Sequence, residues 1–248
     1  MNMSRQCVRV LPVALILLSA CASVEAQDRA KAALVEKKVK DLGPLPFDKD
    51  INYITLSPAG ERLAYRLRDQ KKDYLICDGK PGRAYDSVGE IVFSPDGGRL
   101  ACHVHDPDQC FLLCDGREVG QAYKRAEIPL FSPDSRRFAY QATAAGTERS
   151  MFIVCDGEKA YPAYAVGGAV FSPDSRHLAW FATRGDRQFV VIDGMEGPEH
   201  FFVKIPERPC EVEGKFRYVA GDGKEAWLVE ADWPKDSDWT NGLKPVEH

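Results

Sequence analysis

The chain lacks the signatures that would point directly to an activity. No Gly-x-Ser-x-Gly elbow occurs, so nothing marks a serine hydrolase. No glycine-rich phosphate loop follows a strand pattern. The formal net charge is −4 and no extended basic cluster appears, which disfavours nucleic acid as a partner. The apolar run Val10–Leu18 is too short to cross a bilayer comfortably as a helix.

What is present begins with a targeting pattern. Arg5 and Arg9 form a positive start, the apolar run follows, and Leu18-Ser19-Ala20-Cys21 comes next. These four residues resemble the bacterial lipobox, which implies a signal peptide over 1–20 and lipidation of Cys21. A competing cleavage site lies after Ala26, in Val24-Glu25-Ala26. The protein is therefore expected outside the cytoplasm. It is either a lipoprotein on the periplasmic side of the outer membrane or a soluble periplasmic or secreted protein. Residues 21–46 read as a tether or short helix that ends at Gly43-Pro44-Leu45-Pro46, because proline cannot continue a helix.

Residues 47–248 are organised by a repeat. Leu56-Ser57-Pro58-Ala59-Gly60, Phe93-Ser94-Pro95-Asp96-Gly97, Phe131-Ser132-Pro133-Asp134-Ser135 and Phe171-Ser172-Pro173-Asp174-Ser175 place their first serines 37, 38 and 40 residues apart. A second phrase keeps phase with the first: Cys77-Asp78-Gly79, Cys114-Asp115-Gly116, Cys155-Asp156-Gly157 and Ile192-Asp193-Gly194. Tyr85, Tyr123, Tyr164 and Phe201 follow seven or eight positions later. The units lie near 51–88, 89–126, 127–166 and 167–208, with a degenerate one over 209–248.

Both phrases are turns. Proline presets φ, aspartate bonds nearby amides, and glycine accepts positive φ. They separate strand-length apolar runs, so each unit predicts a four-stranded antiparallel meander. Several strands are apolar at consecutive residues, as in Phe111–Cys114 and Phe189–Ile192, which suits sheets covered on both faces. The phrase Phe-Ser-Pro-Asp-(Gly/Ser)-x-x-(Leu/Phe)-Ala resembles the WD40-like (PD40) repeat of TolB-type β-propellers, shared by propellers of prolyl-oligopeptidase-type enzymes. The resemblance covers about residues 51 to 230 and implies an all-β propeller of four-stranded blades. Five blades are expected, closed by N- and C-terminal strands, with residues 39–47 supplying the missing outer strand of the last. An open array, or closure by dimerisation, is the alternative. Gly221-Asp222-Gly223-Lys224 reads as the degraded Ser-Pro-Asp-Gly turn of the last unit, and Gly167-Gly168 as a turn between units.

Candidate chemistry is sparse. Cys102, His103, His105 and Cys110 form the one dense cluster of metal-type ligands, and His103 and His105 point to one side of a strand. The first unit holds Arg66 and Arg68 at the histidine positions, which reads instead as a solvated side. Cys102 and Cys110 flank one hairpin and could pair in an oxidising compartment. Cys77, Cys114 and Cys155 share a position filled by Ile192, so they read as small buried hydrophobes. The turn residues Ser57, Pro58, Ser94, Pro95, Asp96, Ser132, Pro133, Asp134, Ser172, Pro173 and Asp174 read as structural. His177 and His200 stand without an evident partner. Trp227, Trp233 and Trp239 suit core packing, ring closure or a sugar-stacking platform.

No catalytic residue, cofactor or resident metal is expected. The expected function is a non-catalytic protein-interaction or scaffolding module of the cell envelope, with protein partners, no nucleic acid, and membrane contact only through a lipid anchor. A glycan-binding or glycan-processing propeller and a metal-binding protein are the alternatives.

Overall fold

The computed structural model describes residues 50–144, 151–163, 165–207 and 211–235. All regular structure among them is strand, in five antiparallel sheets that follow chain order. The first holds β1 (Asp50–Leu56), β2 (Leu63–Asp69), β3 (Lys72–Cys77) and β4 (Lys80–Tyr85). The second holds β5 (Ser87–Phe93), β6 (Leu100–His105), β7 (Cys110–Cys114) and β8 (Arg117–Tyr123). In the third, β9 (Arg125–Ala126) and β10 (Leu130–Phe131) together form the first strand, before β11 (Phe138–Thr143), β12 (Met151–Cys155) and β13 (Glu158–Ala163). The fourth holds β14 (Ala165–Phe171), β15 (Leu178–Arg184), β16 (Arg187–Ile192) and β17 (Met195–Glu196). The fifth holds β18 (Phe202–Lys204), β19 (Glu211–Val212), β20 (Lys215–Gly221) and β21 (Ala226–Asp232).

The consecutive apolar residues are explained by the packing. Phe189 and Val191 of β16 join Trp180 and the third sheet's Ile153 in one buried cluster. Val190 and Ile192 face the other way, onto Phe216, Tyr218 and Val203 of the fifth sheet. The second sheet does the same: Cys102 and Val104 pack towards the first sheet, while Cys110, Leu112 and Cys114 pack towards the third. Fully burying a side chain of this size contributes roughly 1.5–3 kcal/mol, which no single exposed sheet could gain on both faces.

Both repeated turns behave as their residues predict. In each Asp-Gly pair both residues have positive φ, as at Asp115 (53°) and Gly116 (77°), the requirement of a two-residue hairpin turn matched to strand twist. In the other turn the first serine's hydroxyl accepts the amide five residues on, as Ser94 does from Arg99 at 2.9 Å. It also donates to the aspartate, as Ser94 does to Asp96 at 2.6 Å. Ala59 removes that second bond from the first sheet.

Two turn assignments differ from the sequence reading. Gly167-Gly168 lies inside β14, at a bulge between Gly167 and Val170, rather than between units. There a Cβ on Gly167 would come 3.0 Å from the Phe181 ring. The segment 221–224 joins β20 to β21, the second and third strands of the fifth sheet. The first turn of that sheet is Glu213-Gly214, both at positive φ, which follows Val212, 40 residues after Ser172 and so in phase with the repeat. The phase was therefore legible; the glycine-rich match at the next turn obscured it. The expected closing strand, residues 39–47, lies outside the described residues.

Candidate functional site

The repeated cysteine, arginine and aspartate form one clamp, copied three times. Arg62 bonds Asp78 at 2.9 Å and the Cys77 sulfur at 3.1 Å within the first sheet. It also donates to the Gly98 carbonyl at 2.7 Å and lies 5.4 Å from the Phe93 ring, both in the second sheet. Arg99 repeats this with Asp115, Cys114, the Arg136 carbonyl and Phe131. Arg137 repeats it with Asp156, Cys155 and Phe171. In the fourth sheet His177 stands in for arginine. Its Nδ1 lies 2.6 Å from Asp193, and its ring stacks on Trp233 with centroids 5.7 Å apart. Each clamp ties one sheet to the next.

Burial holds these thiols in the protonated form. Burial pushes the Cys114 thiol up to about 11, more than the Arg99 guanidinium lowers it, and Cys155 rises well above its usual value for the same reason. Cys102 rises to about 12 and Cys110 to about 11, again through burial first. Cys110 instead takes the Ala126 backbone amide of the third sheet. Asp73 does the same for Val88 at 3.1 Å, and Gln188 for Val203 at 2.7 Å, so the third strand of three sheets starts with an acceptor for the next sheet.

The proposed disulfide is not made. Cys102 and Cys110 are free, sit on opposite faces of the second sheet, and pair with Leu113 and His105 respectively, three ladder positions apart. His103 and His105 do share a side, with ring centroids 5.8 Å apart. The two cysteines do not join them, and no group of three metal-type ligands occurs among the described residues. Burial, then the neighbouring His105, holds His103 below its ordinary range. Cys21, its lipobox, the tether and Trp239 lie outside the described residues.

A different place gathers polar and aromatic side chains. In the first four sheets the third strand pairs with a fourth: β3 with β4, β7 with β8, β12 with β13, β16 with β17. Among the described residues β21, the third strand of the fifth sheet, pairs only with β20. Between the fourth and fifth sheets lies a groove of about 550 Å³, walled by Val190, Met195 and Pro198 on one side and by Tyr218, Trp227 and Val229 on the other. Glu196, Glu230 and Asp232 line it, and no lysine or arginine does. Arg184 holds Glu196 at 2.8 Å and Arg217 holds Glu230, while Lys215 lies 3.9 Å from Asp232. His200 meets Trp227 edge-on at 6.1 Å, and its Nε2 is buried without a hydrogen-bond partner. Sequence reading named Trp227 as a possible sugar-stacking residue but did not assemble this site, because its residues come from two sheets and His200 lies outside both repeated phrases.

No protein-family model matches the chain, and no curated protein matches it. Solved structures similar to it include TolB from Acinetobacter baumannii, at 14% identity over 75% of this chain and 55% of that one, with a TM-score of 0.42. The β-propeller domain of the Trilobed protease from Pyrococcus furiosus is 13% identical over 74% of this chain and 69% of that one, with a TM-score of 0.45. A prolyl endopeptidase is 14% identical over 90% of this chain and 40% of that one, with a TM-score of 0.44. The chain thus spans about half the length of TolB and less than half of the endopeptidase. The sheets have the architecture of β-propeller blades, an assignment that stands on their strand order and repeated turns.

The expectation that the protein is not an enzyme is corrected here. Solved structures similar to the chain include proteins that are enzymes by name, the prolyl endopeptidase and an oligogalacturonate lyase among them. At these identities they assign no activity to this chain, but they remove the repeat as a ground for expecting none. The physical reason is that blade packing uses residues between the sheets and leaves loops and edges free for chemistry.

Proposed function

We propose that this protein is an exported interaction module of the bacterial cell envelope, which binds protein partners through the end sheets of its blade series. The supporting observation is where apolar surface is left uncovered. Tyr53, Ile54 and Leu56 of β1 are exposed, as are Phe201 just before β18 and Val212, Val219, Trp227 and Leu228 of the fifth sheet, whereas among the described residues the second to fourth sheets expose Ile128 and Met195. Apolar residues gathered at particular faces mark contact surfaces more often than scattered ones do. The lipobox-like Leu18–Cys21 places the protein on the periplasmic side of the outer membrane under this reading, and cleavage after Ala26 would release it to the periplasm. The test is affinity isolation of the full chain from detergent-solubilised envelopes. A partner recovered in stoichiometric amount supports the reading; repeated isolation without one contradicts it.

One observation favours a second reading. Trp227 shares its groove with Glu196, Glu230 and Asp232, the aromatic and acidic set that a sugar ligand would use. Titration of Trp fluorescence with cell-wall glycan fragments tests it: saturable quenching lost in Trp227→Ala supports glycan binding, and no change at any concentration contradicts it.

A further inference from the structure

The outer face of the fifth sheet is built differently from the faces that join the sheets. Phe216, Tyr218 and Ala220 of β20 point to the fourth sheet. Alternation along the strand therefore turns Lys215, Arg217 and Val219 the other way. Their directly opposite partners on β21 share that face: Asp232 beside Lys215, Glu230 beside Arg217 and Leu228 beside Val219. In earlier sheets the face turned to the next sheet carries opposite apolar pairs, Ala64–Cys77, Ala101–Cys114 and Ala179–Ile192, which pack on that sheet. Ion pairs cannot be covered in the same way, because burying charge under apolar side chains is costly. The side chains of this face are open to water: Leu228 is 61% exposed and the Asp232 side chain 81%.

The charges lie in two stripes of opposite sign. β20 presents Lys215 and Arg217, β21 presents Glu230 and Asp232, and Val219 and Leu228 end the stripes with apolar side chains. Arg217 donates to Glu230 at 2.8 Å, and Lys215 lies 3.9 Å from Asp232. A two-fold axis running along the strands, midway between β20 and β21, lays β20 of one copy over β21 of another. It sets Lys215 against Asp232, Arg217 against Glu230 and Val219 against Leu228. Each contact is then made twice, as a self-complementary two-fold interface requires. An axis across the strands at the same row would set Arg217 on Arg217 and Glu230 on Glu230. We infer that this face is a homodimer contact, in which the outer faces of two fifth sheets pack together with basic stripe on acidic stripe. Each carboxylate then lies between two cations, one from its own chain and one from the second copy. The inference goes beyond the interaction reading above: its occupant is a second copy of this chain, and it leaves Tyr53, Ile54 and Leu56 of β1 to another protein.

Sedimentation of the full chain tests it. The unaltered protein should dimerise as its concentration rises, and salt at about 1 M, where the screening length falls to about 3 Å, should weaken the dimer ~10-fold or more. Glu230→Lys with Asp232→Lys makes the face wholly basic, and Lys215→Glu with Arg217→Glu makes it wholly acidic. Each double variant alone should be monomeric, and an equal mixture of the two should regain the dimer. Recovery on mixing cannot come from misfolding, and melting curves check each variant by itself. A monomeric unaltered protein, a double variant that dimerises alone, or a mixture of folded variants that stays monomeric overturns the inference.

A photo-cross-linker at Leu228 gives an answer that needs no charge reversal. The inference predicts a link to Val219 of a second copy, and failure to link a second copy contradicts it. Links to residues 21–49, to residues 236–248 or to the first sheet overturn it, because the chain then covers this face itself. A monomer that still captures another protein from a cross-linker at Ile54 sinks the dimer and leaves the interaction reading intact.

Discussion

The imidazole of His177 lies against the indole of Trp233, 5.7 Å between centroids and 16° between planes, at the place where three other sheets set an arginine against the next sheet. The side chains differ but the relationship is conserved within the chain: a flat nitrogen-bearing group bonded to the aspartate of one sheet and stacked on an aromatic ring of the next. The repeat therefore records how sheets are joined as well as how strands turn.

Replacing the arginine clamp should destabilise the chain without touching the groove. Arg99→Ala removes bonds to Asp115 and to the Arg136 carbonyl, and the cost expected is about 2 kcal/mol. Arg99→Lys should recover less than half of it, because an ammonium cannot fill the fork. Urea unfolding of the three proteins measures this.

At the last joint the order of severity should be specific. His177→Ala should destabilise more than His177→Arg, since arginine is what the other sheets place beside the equivalent aspartate. Trp233→Ala should cost about 2 kcal/mol, below the range for a fully buried tryptophan because Trp233 is only partly buried. Thermal melts of these variants decide it; equal loss for both histidine variants would show that the stack, and not the bond to Asp193, carries the joint.

The cysteines should be slow to react. Cys102, Cys110, Cys114 and Cys155 are buried and their thiols are raised by burial, so iodoacetamide at pH 8 should label them only after denaturation. Cys77, partly exposed, should label first among the cysteines of the described residues. Mass spectrometry of the native and the unfolded protein gives both rates.

Acid should weaken the fold in two stages. Burial and His105 hold His103 below its ordinary range, so below about pH 6.5 the unfolded chain binds more protons than the native one. Stability conferred by this group is present above that pH and is lost as the pH falls. Asp96 and Asp134, lowered by the Ser94 and Ser132 hydroxyls, stabilise above about pH 4, and that contribution goes only as the pH drops through their folded values. Unfolding midpoints between pH 8 and 3 should show both stages, and His103→Leu should flatten the first alone.

Much of this architecture was legible from spacing. Ser57, Ser94, Ser132 and Ser172 bond amides five residues on, in the turns their Ser-Pro phrases predict. The Asp-Gly pairs take positive φ because a two-residue hairpin demands it. The arginines of the clamp were visible too, but their role depends on contacts with the following sheet, about 37 residues away in sequence, which local pattern cannot show. The groove was least legible. Sequence reading offered Trp227 as a sugar-stacking candidate and left His200 without a partner, but their meeting with Glu196 depends on how the fourth sheet packs on the fifth, which local pattern cannot show.

Among the described residues β21 is bonded on one side alone, by β20, and residue-resolved hydrogen exchange of the full chain tests this arrangement of the sheets most directly. The account predicts that β3, β7 and β16, each bonded on both sides, retain their amide protons far longer than β21, whose outward amides should exchange nearly as fast as loop residues. Protection of β21 equal to that of β7, in the isolated protein, would contradict it.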